Sequence, residues 1–254
     1  MPLTIPVGVS NRHFHLSQAD VEKLFGSTGL AGAGYQLTKL RDISQKGQFA
    51  ANDTVDVIGP NGRLERVRVV GPARGQTQLE ISRTDAVTLG IDPPVRYSGD
   101  LKGSAGARLV GPKGEVVLSE GIIIPQRHIH MSPADAKKFG VKDRDRVIVT
   151  PLPKMLPAGT EDRGVIFDNV LIRVDPSFVL DFHLDTDEAN AAGLANGDKV
   201  YISGHAKNVE AAVKLITEND VRRAILEKRR MKVPAGAKVT PAAAELAKTH
   251  KVFV

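Results

Sequence analysis

Residues 12–20 read RHFHLSQAD, and residues 127–135 read RHIHMSPAD. A chain that writes one nine-residue phrase twice is constrained to be two versions of one structural unit. Each copy carries two histidines two positions apart. In an extended strand, residues i and i+2 share a face, so His13 lies beside His15 and His128 beside His130. Each phrase then passes from strand to helix. Ser17 with Asp20, and Ser132 with Asp135, have capping-box spacing in its acidic variant, and Pro133 suits the first helical position. Short helices are expected to run toward Phe25-Gly26 and Phe139-Gly140.

The repeat extends beyond the phrase. EISRTDA at 80–86 can be laid over HLDTDEA at 183–189, which sets Glu80 opposite His183. Each half thus holds an H-x-H pair and one later ligand-type residue. The intervening chain is dense in short β-type runs, among them TVDVIG, RLERVRVVG, EVVLSEGIIIP and VLIRVD. Gly-Pro-Asn-Gly at 59–62 and Gly-Pro-Lys-Gly at 111–114 suit tight hairpin connections. This pattern predicts a mainly β protein built of barrels rather than an α/β layer fold. Residues 209–254 differ. A Thr217-Glu-Asn-Asp220 cap precedes a run with Val221, Ala224 and Ile225 on one face, and Thr240-Pro241 starts a second run, so a helical C-terminal extension is expected. Its charge run RRAILEKRR reads as a solvated helix face.

Composition removes several classes. There is no cysteine, which excludes disulfides, thiolate metal sites and a cysteine nucleophile. A transition-metal site must then use His, Asp or Glu. Trp is absent and aromatics are 4% of the chain, a poor basis for stacking nucleic-acid bases. The net charge of +6 sits mostly in the extension, where ten Lys/Arg face five Asp/Glu from Val209 onward. No nucleic-acid partner is therefore expected for the body of the chain. No apolar run is long enough to span a membrane, and no secretory signal is visible, so a cytoplasmic protein is expected.

The histidines carry the chemistry. One H-x-H on a half-exposed strand is ordinary surface chemistry, whereas five of seven histidines in a duplicated pattern point to metal. A catalytic zinc site takes three protein ligands and keeps a fourth position open, and both His₂Glu and His₃ are used. Glu80 and His183 supply the third ligands; which pair each joins is not set by spacing. His205 and His250 lie outside the pattern and read as ordinary polar residues. Arg12 and Arg127 have a structural reading, held by Asp20 or Asp135. Arg74, six residues before Glu80 in a Gly-flanked loop, has the fork geometry that suits phosphate, and Arg83 follows Glu80 closely.

SNRHFHLS, LTKLRDISQKGQFA, GPARGQTQLEISRTDA, PPVRYSGDL, RHIHMSP and DFHLDTDEANAAG together resemble the phosphate propanoyltransferase family of bacterial microcompartments, over about residues 5–205. The resemblance implies two similar β-barrels capped by short helices. Residues 1–11 with 126–205 would form one barrel, 12–125 the other, and 209–254 the extension. It implies two zinc ions, one on His13, His15 and Glu80 and one on His128, His130 and His183. It implies that Arg74 binds phosphate in the catalytic site, and that Ser10, Lys39, Arg68 and Asn190 lie near coenzyme A. The implied reaction is reversible transfer of a propanoyl or acetyl group between coenzyme A and inorganic phosphate. A zinc-dependent hydrolase of acyl-CoA or acyl phosphate, or a metal-stabilised scaffold, uses the same residues differently. A homo-oligomer inside a microcompartment is expected, with 209–254 available to shell or cargo proteins.

Overall fold

The computed structural model describes residues 2–26, 34–154, 159, 161, 163–206, 215–226, 230–231, 233 and 237–253. The first half of the body runs β1 (Ile5–Ser10), β2 (His13–His15), α1 (Gln18–Phe25), β3 (Lys39–Asp42), β4 (Phe49–Ile58), β5 (Arg63–Gly71), β6 (Gln78–Glu80), α2 (Arg83–Leu89), β7 (Val95–Arg96) and β8 (Ala105–Val110). The second half repeats most of this as β9 (Glu115–Pro125), β10 (His128–Met131), α3 (Pro133–Phe139), β11 (Arg146–Pro151), β12 (Phe167–Val174), β13 (Asp181–Asp185), α4 (Thr186–Ala192) and β14 (Lys199–His205).

The strands close two rings of six. One runs β1–β13–β10–β12–β11–β14 and back to β1. The other runs β4–β5–β2–β6–β9–β8 and back to β4, with β3 and β7 flanking it. The protein is therefore mainly β, with two closed barrels and few short helices. The rings match strand for strand. The H-x-H strand pairs parallel with β5 or β12, and antiparallel with β6 or β13. In each ring, the strand beside the third-ligand strand comes from the other half of the chain. β1 enters the second half's barrel beside β13, and β9 enters the first half's barrel beside β6. Asn11-Arg12 and Gln126-Arg127 are thus the crossovers from one barrel to the other.

Each barrel has its own core. Phe14, Leu16, Val69, Leu79 and Ile122 belong to one, and Ile5, Ile129, Ile172, Phe182 and Leu184 to the other. Alternation along the strand explains the duplicated phrase. Phe14 and Ile129 are fully buried in the two cores, which turns the flanking histidines to the opposite face. Of the two capping boxes that spacing predicts, one forms in full and the other in half. Ser132 and Asp135 form the complete reciprocal box, and so do Ser82 and Asp85. At α1 only the Ser17 half forms. The Asp20 carboxylate instead accepts from Thr77 Oγ1 at 2.6 Å, and Thr77 Oγ1 accepts from the Ser17 amide at 2.9 Å. Gly90 and Gly193 occupy equivalent left-handed C-caps at φ +73° and +61°, where a β-carbon would be strained.

The extension forms a separate unit over 207–254. Among its described residues, β15 (Leu215–Ile216) precedes α5 (Glu218–Leu226), and β16 (Lys238–Val239) precedes α6 (Pro241–Thr249). The two short strands pair in parallel, an element that helical periodicity alone does not reveal. Ile216, Val221, Ala224, Ala243, Ala247 and Val252 make its core. Part of the charge run, Glu227, Lys228 and Arg229, lies outside the described residues. No described helix is long and apolar enough to cross a membrane.

Candidate metal and acyl-transfer site

The third-ligand strands place their ligands directly across from the histidine strands. His13 is in register with Glu80, and His128 with His183. Two clusters result, His13–His15–Glu80 and His128–His130–His183, each with one ligand atom per residue inside a 4.8 Å span. The Nε2 atoms of His13 and His15 are 3.2 Å apart, and those of His128 and His130 are 3.1 Å apart. Tetrahedral ligands at about 2.0–2.1 Å from zinc stand about 3.4 Å from one another, so these pairs are spaced to share an ion. Glu80 Oε2 lies 3.7 Å from His13 Nε2.

Hydrogen bonding settles one tautomer in each pair. His13 Nδ1 meets the Asn11 carbonyl at 2.9 Å and His128 Nδ1 meets the Gln126 carbonyl at 2.7 Å. A carbonyl only accepts, so Nδ1 carries the proton and the Nε2 lone pair faces the neighbouring histidine. Burial pushes His15 down to about 2, with His13 and Arg74 adding to the effect and the Val70 backbone opposing it. Burial also pushes His130 down to about 3, with His183 and Arg173 contributing, and holds His128 well below the usual range. These imidazoles are neutral, the form that binds a metal. His130 Nδ1 and His183 Nδ1 are buried without a hydrogen-bond partner. Converging imidazole nitrogens, joined by a carboxylate in the first set and a third imidazole in the second, fit a bound cation at both clusters.

Both clusters open into one cleft of about 1130 Å³, lined by strands of both barrels. Its cationic groups are Arg12, Arg41, Arg68, Arg74 and Arg173. Arg74 is partly desolvated: burial lowers its basicity, Glu80 opposes this, and Arg173 adds to it. Its Nη2 donates to Gln48 Oε1 at 3.3 Å. The two arginines thus sense one another across the cleft, one near each histidine pair.

Of the proposed coenzyme A contacts, Ser10 and Arg68 line this cleft, and Ser10 Oγ is 3.4 Å from His13 Nδ1. Arg68 is in register with His13 and donates to the Ala51 carbonyl at 2.6 Å. Lys39 is exposed and paired with Asp42 at 2.6 Å, while Asn190 is an exposed residue of α4; neither is among the described lining residues. Arg83 pairs with Asp92 at the surface. The crossover arginines have different partners from those spacing suggests. Arg12 makes a two-pronged contact with Asp85 at 2.6 and 3.0 Å, and Arg127 pairs with Glu188. Asp85 and Glu188 are equivalent residues, each at the third position of the helix that follows the third ligand.

Sequence reading missed Arg173. It stands in register with His130 on β12, and its guanidinium carbon lies 4.7 Å from the centroid of Tyr97 and 5.3 Å from that of Phe178. Its Nε is buried without a partner. Its counterpart in the repeat is Val70, so duplication gave no sign of it; only the strand register does.

A family profile described as phosphate propanoyltransferase matches residues 6–195. The chain belongs to this family. It is 55% identical over 198 residues to the phosphate propanoyltransferase of Thermotoga maritima, covering 78% of this chain and 88% of that one. It is 50% identical to the Salmonella typhimurium protein of the same name over 192 residues, 76% of this chain and 85% of that one. The Priestia megaterium relative is 50% identical over 200 residues, 79% and 86% of the respective chains. The protein is an acyltransferase of this family, and the extension lies beyond the matched residues.

Proposed function

We propose that the protein transfers a short acyl group, propanoyl or acetyl, reversibly between coenzyme A and inorganic phosphate, with two zinc ions held by the two clusters. The observation that carries this reading is the meeting of both ligand sets and Arg74 in one cleft. Zinc, when bound, supplies Lewis-acid polarisation of a carbonyl and a soft partner for a thiolate. The remaining steps belong to the chain. Arg74 orients phosphate and offsets its charge as an oxygen attacks the thioester carbonyl carbon. Among the described residues Arg173 has no carboxylate within ion-pair distance; it faces the same cleft and assists in holding the anion. The carbon–sulfur bond then breaks, and coenzyme A leaves as thiolate. With no cysteine to accept the acyl group, phosphate attacks directly in a ternary complex. Ser10 and Arg68 are the coenzyme A contacts best placed for this; Lys39 and Asn190 remain proposed contacts from outside the lining.

The test follows loss of coenzyme A thiol on addition of acetyl phosphate or propanoyl phosphate. Thiol is expected to disappear with zinc present, to persist after chelation, and to disappear again when zinc is restored. Persistence with fully metallated protein and every acyl group tried overturns transfer. Release of free acid from acyl-CoA without phosphate marks a hydrolase instead.

The same reading places a homo-oligomer in a bacterial microcompartment of the cytoplasm, with 209–254 docking on shell or cargo proteins. The extension's separate core and its position outside the family match support a docking role. A chain ending at Ala206 should keep thiol turnover and lose co-purification with shell proteins. Retained co-purification removes the docking role.

A further inference from the structure

The two clusters are built on equivalent strands but differ in charge. The first has a carboxylate ligand, Glu80, and the second has His183 in its place. The residues two positions earlier differ in the opposite sense. Gln78 precedes Glu80, and Asp181 precedes His183. Register makes these pairs equivalent: His15 lies across from Gln78, and His130 across from Asp181. Both are buried, at 3% and 5% exposure.

Each faces its own ligand. Gln78 Nε2 donates to Glu80 Oε1 at 2.6 Å, while its other contacts, Ser98 Oγ and the Gly99 amide, fix the amide orientation. Asp181 Oδ2 lies 3.8 Å from His183 Nδ1, the nitrogen that is buried without a partner. Ser44 Oγ donates to that carboxylate over a long 3.5 Å. The carboxylate also has a space made for it. A β-carbon on Gly8, the residue paired with His183, would lie 2.3 Å from Asp181 Oδ2. At the equivalent point in the other barrel, Ile123 is paired with Glu80 and is fully buried. The glycine therefore occurs where the aspartate stands and not where the glutamine stands.

We infer that Asp181 is a positioning residue that accepts the Nδ1 proton of His183 and aims its Nε2 at the second metal. Each metal site then has one carboxylate, bound directly as Glu80 in the first and placed behind the ligand as Asp181 in the second. This inference rests on the reading that both clusters hold metal. A carboxylate behind a ligating histidine fixes the tautomer and raises its basicity, and its loss typically weakens metal binding 10–100-fold.

The test is competition for zinc between the full-length protein and a chromophoric chelator, read as equivalents released. The intact protein should hold two equivalents. Asp181→Asn should release one equivalent at 10–100-fold lower chelator concentration and leave the other unchanged. In a His183→Ala background, Asp181→Asn should have no further effect on the remaining equivalent. Zinc should raise the melting temperature less in Asp181→Asn than in the intact protein, while the metal-free forms melt alike; a merely structural aspartate would lower both. Gly8→Ala provides a second route, since it displaces the carboxylate without changing any charge, and should reproduce the loss of one equivalent. If the intact protein binds no zinc, the metal reading itself falls. If it binds two, and both Asp181→Asn and Gly8→Ala release both equivalents at the original chelator concentration, the role of Asp181 is overturned.

Discussion

Arg74 and Arg173 face the same cleft but are held differently. Arg74 is tied to Gln48 by one hydrogen bond, whereas Arg173 rests against two aromatic rings. If both hold phosphate, Arg74→Ala should lower kcat/KM for phosphate by about 100-fold, the scale of one lost charge-stabilising donor, and leave KM for coenzyme A nearly unchanged. Arg173→Ala should raise KM for phosphate by about 10-fold, and Arg173→Lys should not restore it, because a point charge does not stack as a planar guanidinium does. Equal losses toward both substrates would show that these arginines serve the fold. The histidines give a pH prediction. Unfolded, His15 and His130 titrate near 6.5; folded, they are held at about 2 and about 3. Between those limits the unfolded chain binds more protons, so folding stability falls as pH drops. Each histidine costs up to about 1.4 kcal/mol per pH unit below 6.5. The melting temperature of metal-free protein should be level above about pH 7.5 and decline steadily below 6.5; a flat profile to pH 5 would contradict the burial of these side chains. The two clusters were legible because duplication displays their pattern twice. Arg173 was not, because its counterpart is an apolar valine.

At the scale of elements, the crossovers are the joints of the design. Asn11 and Gln126 each turn a carbonyl onto the first histidine of a pair, and the arginine that follows anchors the crossover to a distant helix. Asp85 is almost fully buried, while the Arg12 side chain is 38% exposed. Among the described residues, removing Arg12 leaves the acid with its capping bond to the Ser82 amide alone. Arg12→Ala should therefore cost about 1–3 kcal/mol, mostly for the unpaired buried acid. In a double-mutant cycle with Asp85→Ala, much of that cost should vanish, since the second change removes the group left stranded. Strict additivity would mean the pair contributes nothing jointly. Spacing pointed to Asp20 and Asp135 as partners because they are near in sequence. The real partners are 73 and 61 positions away and are set by strand pairing, which no local pattern encodes. The caps were legible because their hydrogen bonds span three residues. The Thr77 contact that replaces half of the α1 box was not, since it arrives from 57 positions away.

For the whole molecule, the exchange of first strands has a consequence for folding. The two halves meet at the hairpin 111–114, where the Gly111 amide donates to the Gly114 carbonyl at 2.9 Å. A cut there leaves β1 to β8 on one fragment and β9 onward on the other. Had each half formed its own barrel, the fragments would fold alone. Instead β9 closes the first half's ring between β6 and β8, and β1 closes the second half's ring between β13 and β14. Each isolated fragment has an open ring, unpaired strand edges and a core lacking one wall: Val116 and Ile122 in one case, Ile5 and Val7 in the other. Each also carries a strand whose partners are elsewhere. The histidine pairs and their third ligands stay together after the cut, so metal alone does not repair the defect. The expected outcome is that neither fragment, produced separately, shows a cooperative thermal transition with or without zinc. Mixed or co-expressed, they should associate one to one and regain both the transition and two metal equivalents. A fragment 1–112 that melts cooperatively by itself would mean that its ring closes without β9, and the reciprocal exchange would then not be what holds the two barrels together.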